Sequence, residues 1–256
     1  MMALLKDELA SFLFATQFLT RVPIPSSISF SEARFAGSVK YYPWVGLCIG
    51  GGAGCLYIAL SALFDPLLAA LLAIAITIFT TGAFHEDGLA DMADGLGAGA
   101  TREAALEIMK DSRLGTYGTL ALGICVAAAT TALADLPPLA GAAALFAAHS
   151  MSRLSSVIVI ATSTYVRDHG TGKPVANAVS GSDLMIALAS LIPALVWLSV
   201  TGGMALALAA VMGSVIGHAI ARILAERKLS GYTGDTLGGV QQLSFVGILL
   251  GCSAWL

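Results

Sequence analysis

The sequence predicts an all-α fold: a polytopic bundle of about seven transmembrane helices, with the N-terminus in the cytoplasm. Three observations predict it. The 256 residues are 57% hydrophobic and only 11% charged, against roughly 45–50% and about 25% in an ordinary soluble domain. Apolar stretches near the length of a bilayer crossing, about 20 residues, recur along the chain. The basic residues fall in alternate intervals between those stretches, which is the pattern of cytoplasmic loops.

The spans are expected near 46–64, 66–84, 117–134, 138–162, 184–200, 203–225 and 238–256. The second, P-L-L-A-A-L-L-A-I-A-I-T-I-F-T-T-G-A-F, carries no charge at all. The first and sixth are rich in Gly and Ala, which suits close helix packing in lipid. The seventh is weakened by Gln241 and Gln242 near its start. Residues 9–19 are too short to cross and read as an interfacial or re-entrant helix within a cytoplasmic segment 1–45. Asp7 and Glu8 in the leading region argue against a signal peptide. The whole chain, 1–256, reads as a single integral-membrane domain.

The short intervals around Asp65-Pro66, Asp135 to Pro138 and Thr201 to Gly203 hold no Lys or Arg. The long ones, 1–45, 85–116, 163–183 and 226–237, hold eleven of the thirteen basic residues; only Arg153 and Arg222 lie within spans. The long segments are therefore expected in the cytoplasm. A net charge of -3 and a pI near 5.7, without a basic run, argue against nucleic acid as a partner. Cys48, Cys55, Cys125 and Cys252 sit apart in apolar stretches and read as packing residues.

The chemistry is concentrated at the end of the second span, in F-H-E-D-G-L-A-D-M-A-D-G-L-G, residues 84–97. If the helix of that span continues through it, Asp87, Asp91 and Asp94 fall at i, i+4 and i+7 on one face, with Glu86 at the rim. Like charges on one stripe repel, so a cation is expected among them. Oxygen-only ligands select Mg²⁺, Mn²⁺ or Ca²⁺ over zinc. His85 abuts the run as a base or a hydrogen-bond partner. The plainer reading of the stretch is a solvated acidic loop.

M-K-D-S-R-L-G-T-Y-G, residues 109–118, places Lys110, Asp111 and Arg113 ahead of a glycine turn, a combination able to hold phosphate; it also suits a basic membrane anchor. G-Y-T-G-D-T-L-G-G, residues 231–239, carries Asp235, a further metal ligand or a base, in what is otherwise a flexible turn. The fourth and sixth spans repeat H-x-x-x-R, with His149 and Arg153 in one and His218 and Arg222 in the other. Buried cations in a bilayer usually face the bundle interior, so these four are expected around a phosphate vestibule; interhelical hydrogen bonds and snorkelling to the interface are the plainer readings. Together the set suits Mg²⁺-dependent chemistry on a phosphate or pyrophosphate.

These three motifs, in this order, resemble the cobalamin-5′-phosphate synthase (adenosylcobinamide-GDP ribazoletransferase) family, and the resemblance extends to F-L-T-R-V-P-I-P at residues 18–25. It implies a Mg²⁺-dependent transferase in a bacterial inner membrane, its active site facing the cytoplasm. That enzyme joins adenosylcobinamide-GDP to α-ribazole 5′-phosphate, or to the free riboside, and releases GMP. Carried over by position, Glu86, Asp87, Asp91 and Asp94 form the acidic metal motif; Lys110, Asp111 and Arg113 belong to the second motif and Asp235 to the third. Small-residue faces allow a homo-oligomer, and association with other cobamide-assembly enzymes is open. The chemistry is also similar to that of CDP-alcohol phosphotransferases: Asp91-Met92-Ala93-Asp94-Gly95 matches the opening of their D-x-x-D-G-x-x-A-R, with Ala98-Gly99 at the Ala-Arg positions. An ion-coupled transporter is the alternative outside the enzymes.

Overall fold

The structure is a computed structural model describing residues 2–167, 173–176 and 179–256. Its helices are α1 (Met2–Leu19), α2 (Glu32–Ala36), α3 (Tyr42–Ser61), α4 (Pro66–Thr81), α5 (Phe84–Ala98), α6 (Arg102–Ile108), α7 (Thr116–Ala134), α8 (Pro138–Thr162), α9 (Gly181–Ala189), α10 (Leu191–Leu229) and α11 (Gly234–Trp255). The expected all-α class holds. Among the described residues the one β pairing is an isolated bridge between Tyr165 and Tyr232. Part of the expected 163–183 loop lies outside the described residues.

Local chemistry sets the helix ends. Asp65 caps α4 by accepting from the N–H groups of Leu67 and Leu68, with Pro66 at the first helical position. Pro138 opens α8 in the same way. Thr233 and Thr236 form a reciprocal cap on α11. Gly82 (φ 67°) ends α4 in the left-handed region, and Ala83 (φ 58°) follows it there. Two such residues in succession turn the chain by 90° into α5. The acidic stretch is therefore a helix of its own, not a continuation of the second span as the sequence suggested.

The chain is a membrane protein. Five helical stretches are long and apolar enough to cross a bilayer, and the bent pair α4–α5 would make a sixth. Helix α1 is not among them. The count differs from the expected seven partly because 181–229 forms one stretch of 49 residues. At 1.5 Å per residue that is roughly 73 Å, far beyond the roughly 30 Å core of a bilayer. Gly203 (φ 78°, ψ 171°) breaks it at the boundary expected between the fifth and sixth spans.

Helix α8 is the axis of the bundle, with 89% of its apolar window buried. Helix α3 lies against it backbone to backbone. A side chain added at Gly50 would meet Leu145 O at 2.6 Å and Phe146 Cα at 2.7 Å, and Gly46 and Gly54 touch His149 and Ala142 one turn to either side. In contrast, a Cβ on Gly123 of α7 meets nothing within 4 Å. Gly50→Ala is accordingly expected to destabilise the fold by about 1–3 kcal/mol through overpacking, while Gly123→Ala leaves stability unchanged or raised; thermal unfolding of the two variants in detergent checks this.

Candidate active site

The first turns of α5 and α11 meet at two glycines. A Cβ on Gly88 would sit 2.9 Å from Asp235 O and 3.1 Å from Gly238 Cα, so no larger residue permits this approach. It sets Asp235, near the start of α11, beside the α5 carboxylates: Asp91 has Asp235, Asp87 and Asp94 as like-charged neighbours and Arg167 as an opposing charge. Arg167 Nη2 lies 2.6 Å from Asp235 Oδ2, with both side chains mostly buried. The backbone on either side of the bridge holds Arg167 in range: Val166 N donates to Tyr232 O (3.0 Å) and Tyr232 N to Thr164 O (2.9 Å).

The four acids expected as one metal motif divide three ways. Asp87 and Asp91 face Asp235. Glu86 turns inward, accepting from Gln242 Nε2 at 2.8 Å, and lines a small polar cavity with His85, His149, Arg153 and Gln241. Asp94 is buried, and both its oxygens are taken: Oδ2 by Gly115 N–H (2.7 Å) and Oδ1 by Gly118 N–H (2.9 Å). It anchors the N-terminus of α7, where a carboxylate satisfies orphan amides and the helix dipole together. Among the described residues no three His, Cys, Asp or Glu side chains stand together as a ready metal site. Magnesium, however, typically uses one or two carboxylates and completes its shell with water and substrate phosphate.

Arg153 is 1% exposed on α8, its Nη1 donating to His149 O (2.9 Å) and lying 3.2 Å from His149 Nδ1. Its Nε has no partner among the described residues. Arg153 and His85 form the wall shared by the small polar cavity and a larger one of about 270 Å³, which Asp87 and Asp235 also line.

The second H-x-x-x-R does not reach this place. Arg222 bonds Glu226 Oε1 (2.8 Å) and Thr162 Oγ1 (2.9 Å) on the flank of the bundle, and His218 borders a separate apolar cavity with Met151, Leu154 and Ser214. The reason is the α10 face: Gly213, Gly217 and Ala221 are among its buried residues, and Gly213 and Gly217 abut α11, which leaves 218 and 222 to the side. Lys110 and Arg113 are exposed, paired with Glu107 (3.1 Å) and Asp111. Hydrogen bonds from Arg113 hold the Asp111 carboxyl down to about 2.

Sequence reasoning missed Arg167 as the partner of Asp235, and it took Gln241 and Gln242 only as blemishes in a span. Gln241 is 2% exposed and donates to Ser152 Oγ at 2.9 Å. Amides within a hydrophobic stretch were the available signal, since polar groups there must find partners. Arg167 had no local signal.

The model of the cobalamin-5-phosphate synthase family matches residues 11–253. The chain is 42% identical to an adenosylcobinamide-GDP ribazoletransferase of Leptothrix cholodnii, covering 98% of this chain and 97% of that one. It is 38% identical to the enzyme so named in Vibrio cholerae, over 98% and 95%, and 38% identical to that of Shewanella frigidimarina, over 93% and 92%. No solved structure matches.

Asp94→Ala removes both acceptors from the start of α7 and should lower stability by about 1–2 kcal/mol, with Asp94→Asn, which keeps one carbonyl acceptor, costing less. Thermal unfolding in detergent, with and without Mg²⁺, reads both effects.

Proposed function

The chain belongs to the cobalamin-5-phosphate synthase family, and from that membership and the site's geometry we propose that it transfers α-ribazole 5′-phosphate, or the free riboside, onto adenosylcobinamide-GDP. A ribose hydroxyl oxygen bonds to the phosphorus nearer the cobinamide, the phosphoanhydride bond to GMP breaks, and GMP leaves. The products are GMP and adenosylcobalamin 5′-phosphate, or adenosylcobalamin from the riboside. The observation that carries the reading is the gathering of Asp87 and Asp235 in one cavity whose wall holds Arg153, with Asp91 beside them.

The residues divide the work. Asp235 accepts the proton of the attacking hydroxyl, and the ion pair with Arg167 holds its carboxylate in place. Arg153 offers a fixed positive charge to the phosphoryl group where negative charge develops, and a preorganised donor in a water-poor site counts for more than one in solvent. His85, between the cavities, donates or accepts a hydrogen bond at the same wall. Lys110 and Arg113 hold only surface ion pairs, each worth about 0–1 kcal/mol. They are therefore free to exchange those partners for the diphosphate.

The donor set fits Mg²⁺: Asp87 and Asp91 are oxygen donors in a place with excess negative charge. Asp87 and Asp91 would hold the ion, and bound there it would supply charge neutralisation to the pyrophosphate. Glu86 and Asp94 serve the surrounding structure in this reading. The distribution of Lys and Arg supports a cytoplasmic site on a bacterial inner membrane.

Protein in liposomes, given adenosylcobinamide-GDP, α-ribazole phosphate and Mg²⁺, should release GMP and joined corrinoid in equal amounts. Asp91→Asn, Asp235→Asn and EDTA should each lower the rate about 10²-fold or more. Arg222→Ala should stay within about threefold of wild type, since Arg222 lies off the site. Folded protein that releases no GMP overturns the reaction. Full activity in Asp91→Asn and Asp235→Asn overturns the assignment of the carboxylates.

A further inference from the structure

The cavity of about 270 Å³ has two unlike halves. One half holds Asp87, Asp235 and Arg153. The other is built from Phe18 and Leu19 at the end of α1, Tyr42 at the start of α3, Phe84 at the start of α5, Ile160 of α8 and Val175. Its rings are ordered: Phe18 and Tyr42 stack at 5.7 Å with 20° between planes, and Phe84 stands edge-on to Phe18 at 5.2 Å and 72°. No charged side chain lines this half, and Leu19, Ile160 and Val175 are each 2% exposed. The arrangement is amphipathic on the scale of one small molecule: a flat apolar slot opening onto acids and an arginine.

Resting on the transferase reading above, we propose that this slot binds the planar base of the incoming riboside and so places its ribose against Asp235. Three comparisons select that occupant. A corrin ring, with its amide side chains, is far larger than the cavity, which lies just below the roughly 300–1,000 Å³ found for small-molecule sites. Guanine would bury an edge of several donors and acceptors among Leu19, Ile160 and Val175, where the Tyr42 hydroxyl is the one polar group to answer them. A benzimidazole presents a hydrocarbon edge and a flat face, and aromatic faces take such a ring by offset or edge-to-face stacking. The slot then acts as a specificity element for the base: it accepts apolar fused rings and disfavours purines. The discrimination arises because a buried polar edge left unpaired costs more than a missing methyl group gains.

The test is steady-state kinetics of the full-length protein in liposomes, each substrate varied in turn, for wild type, Phe18→Leu, Phe84→Leu and Ile160→Thr. The leucine variants keep apolar bulk and lose the flat face, so they preserve the core. The expected result is a KM for α-ribazole phosphate raised about tenfold in the leucine variants, with the KM for adenosylcobinamide-GDP within about twofold. Wild type is expected to prefer the benzimidazole riboside phosphate to the adenine analogue by about tenfold or more in kcat/KM, and Ile160→Thr to narrow that gap. Equilibrium dialysis of free α-ribazole, without the corrinoid, provides a second readout that needs no turnover. Variants that alter the KM of adenosylcobinamide-GDP instead, or neither KM, overturn the slot while the transferase stands. Wild type that binds α-ribazole yet makes no product overturns the transferase reading and leaves the binding site.

Discussion

Helices α5 and α11 lie in backbone contact only because Gly88 and Gly238 carry no side chains. That approach brings the carboxylates of two distant segments to one place. A single methyl group at either position would wedge the helices apart and separate Asp235 from Asp87 and Asp91. The bundle around them is built on the same principle, with glycines of α3 against α8 and of α10 against α11. In lipid no hydrophobic force draws apolar helices together, so close backbone packing carries the association. The site inherits its geometry from that packing.

Arg153 shows how the interior tolerates charge. It stands on the most enclosed helix and is itself almost wholly buried. Its Nη1 bonds within its own helix, to the His149 backbone and ring, while Glu86 supplies the countercharge. Glu86 in turn is held by Gln242. Polar groups of α8, α5 and α11 thus share one small cavity, and each is the kind of buried group that is costly to leave alone.

The sequence made the apolar stretches legible, because hydrophobicity is a local property. The boundaries 117–134 and 138–162 differ from α7 and α8 by at most one residue at either end. The acidic motif was legible for the same reason. What escaped was everything that depends on the partner across space. Asp94 read as a metal ligand because its amide partners lie 21 and 24 residues away. His149–Arg153 and His218–Arg222 are identical patterns, and nothing within a helix says which way it faces. The break at Ala83 escaped because a left-handed alanine leaves no mark in the sequence, whereas Gly203 announced itself. The motifs that carried the family resemblance proved to be neighbours: the glycines of G-T-Y-G cradle Asp94 of the acidic run.

The meeting of α5 and α11 has an electrical side as well. It is the first turn of each helix that touches there. A helix start carries the positive end of an aligned row of peptide dipoles, equivalent to about half a unit charge. Two such ends converge on the acids that line the cavity, so the place is less negative than a count of its carboxylates implies. Carboxylates and helix starts of opposite sign thus stand side by side, and the cavity presents both polarities within one small space.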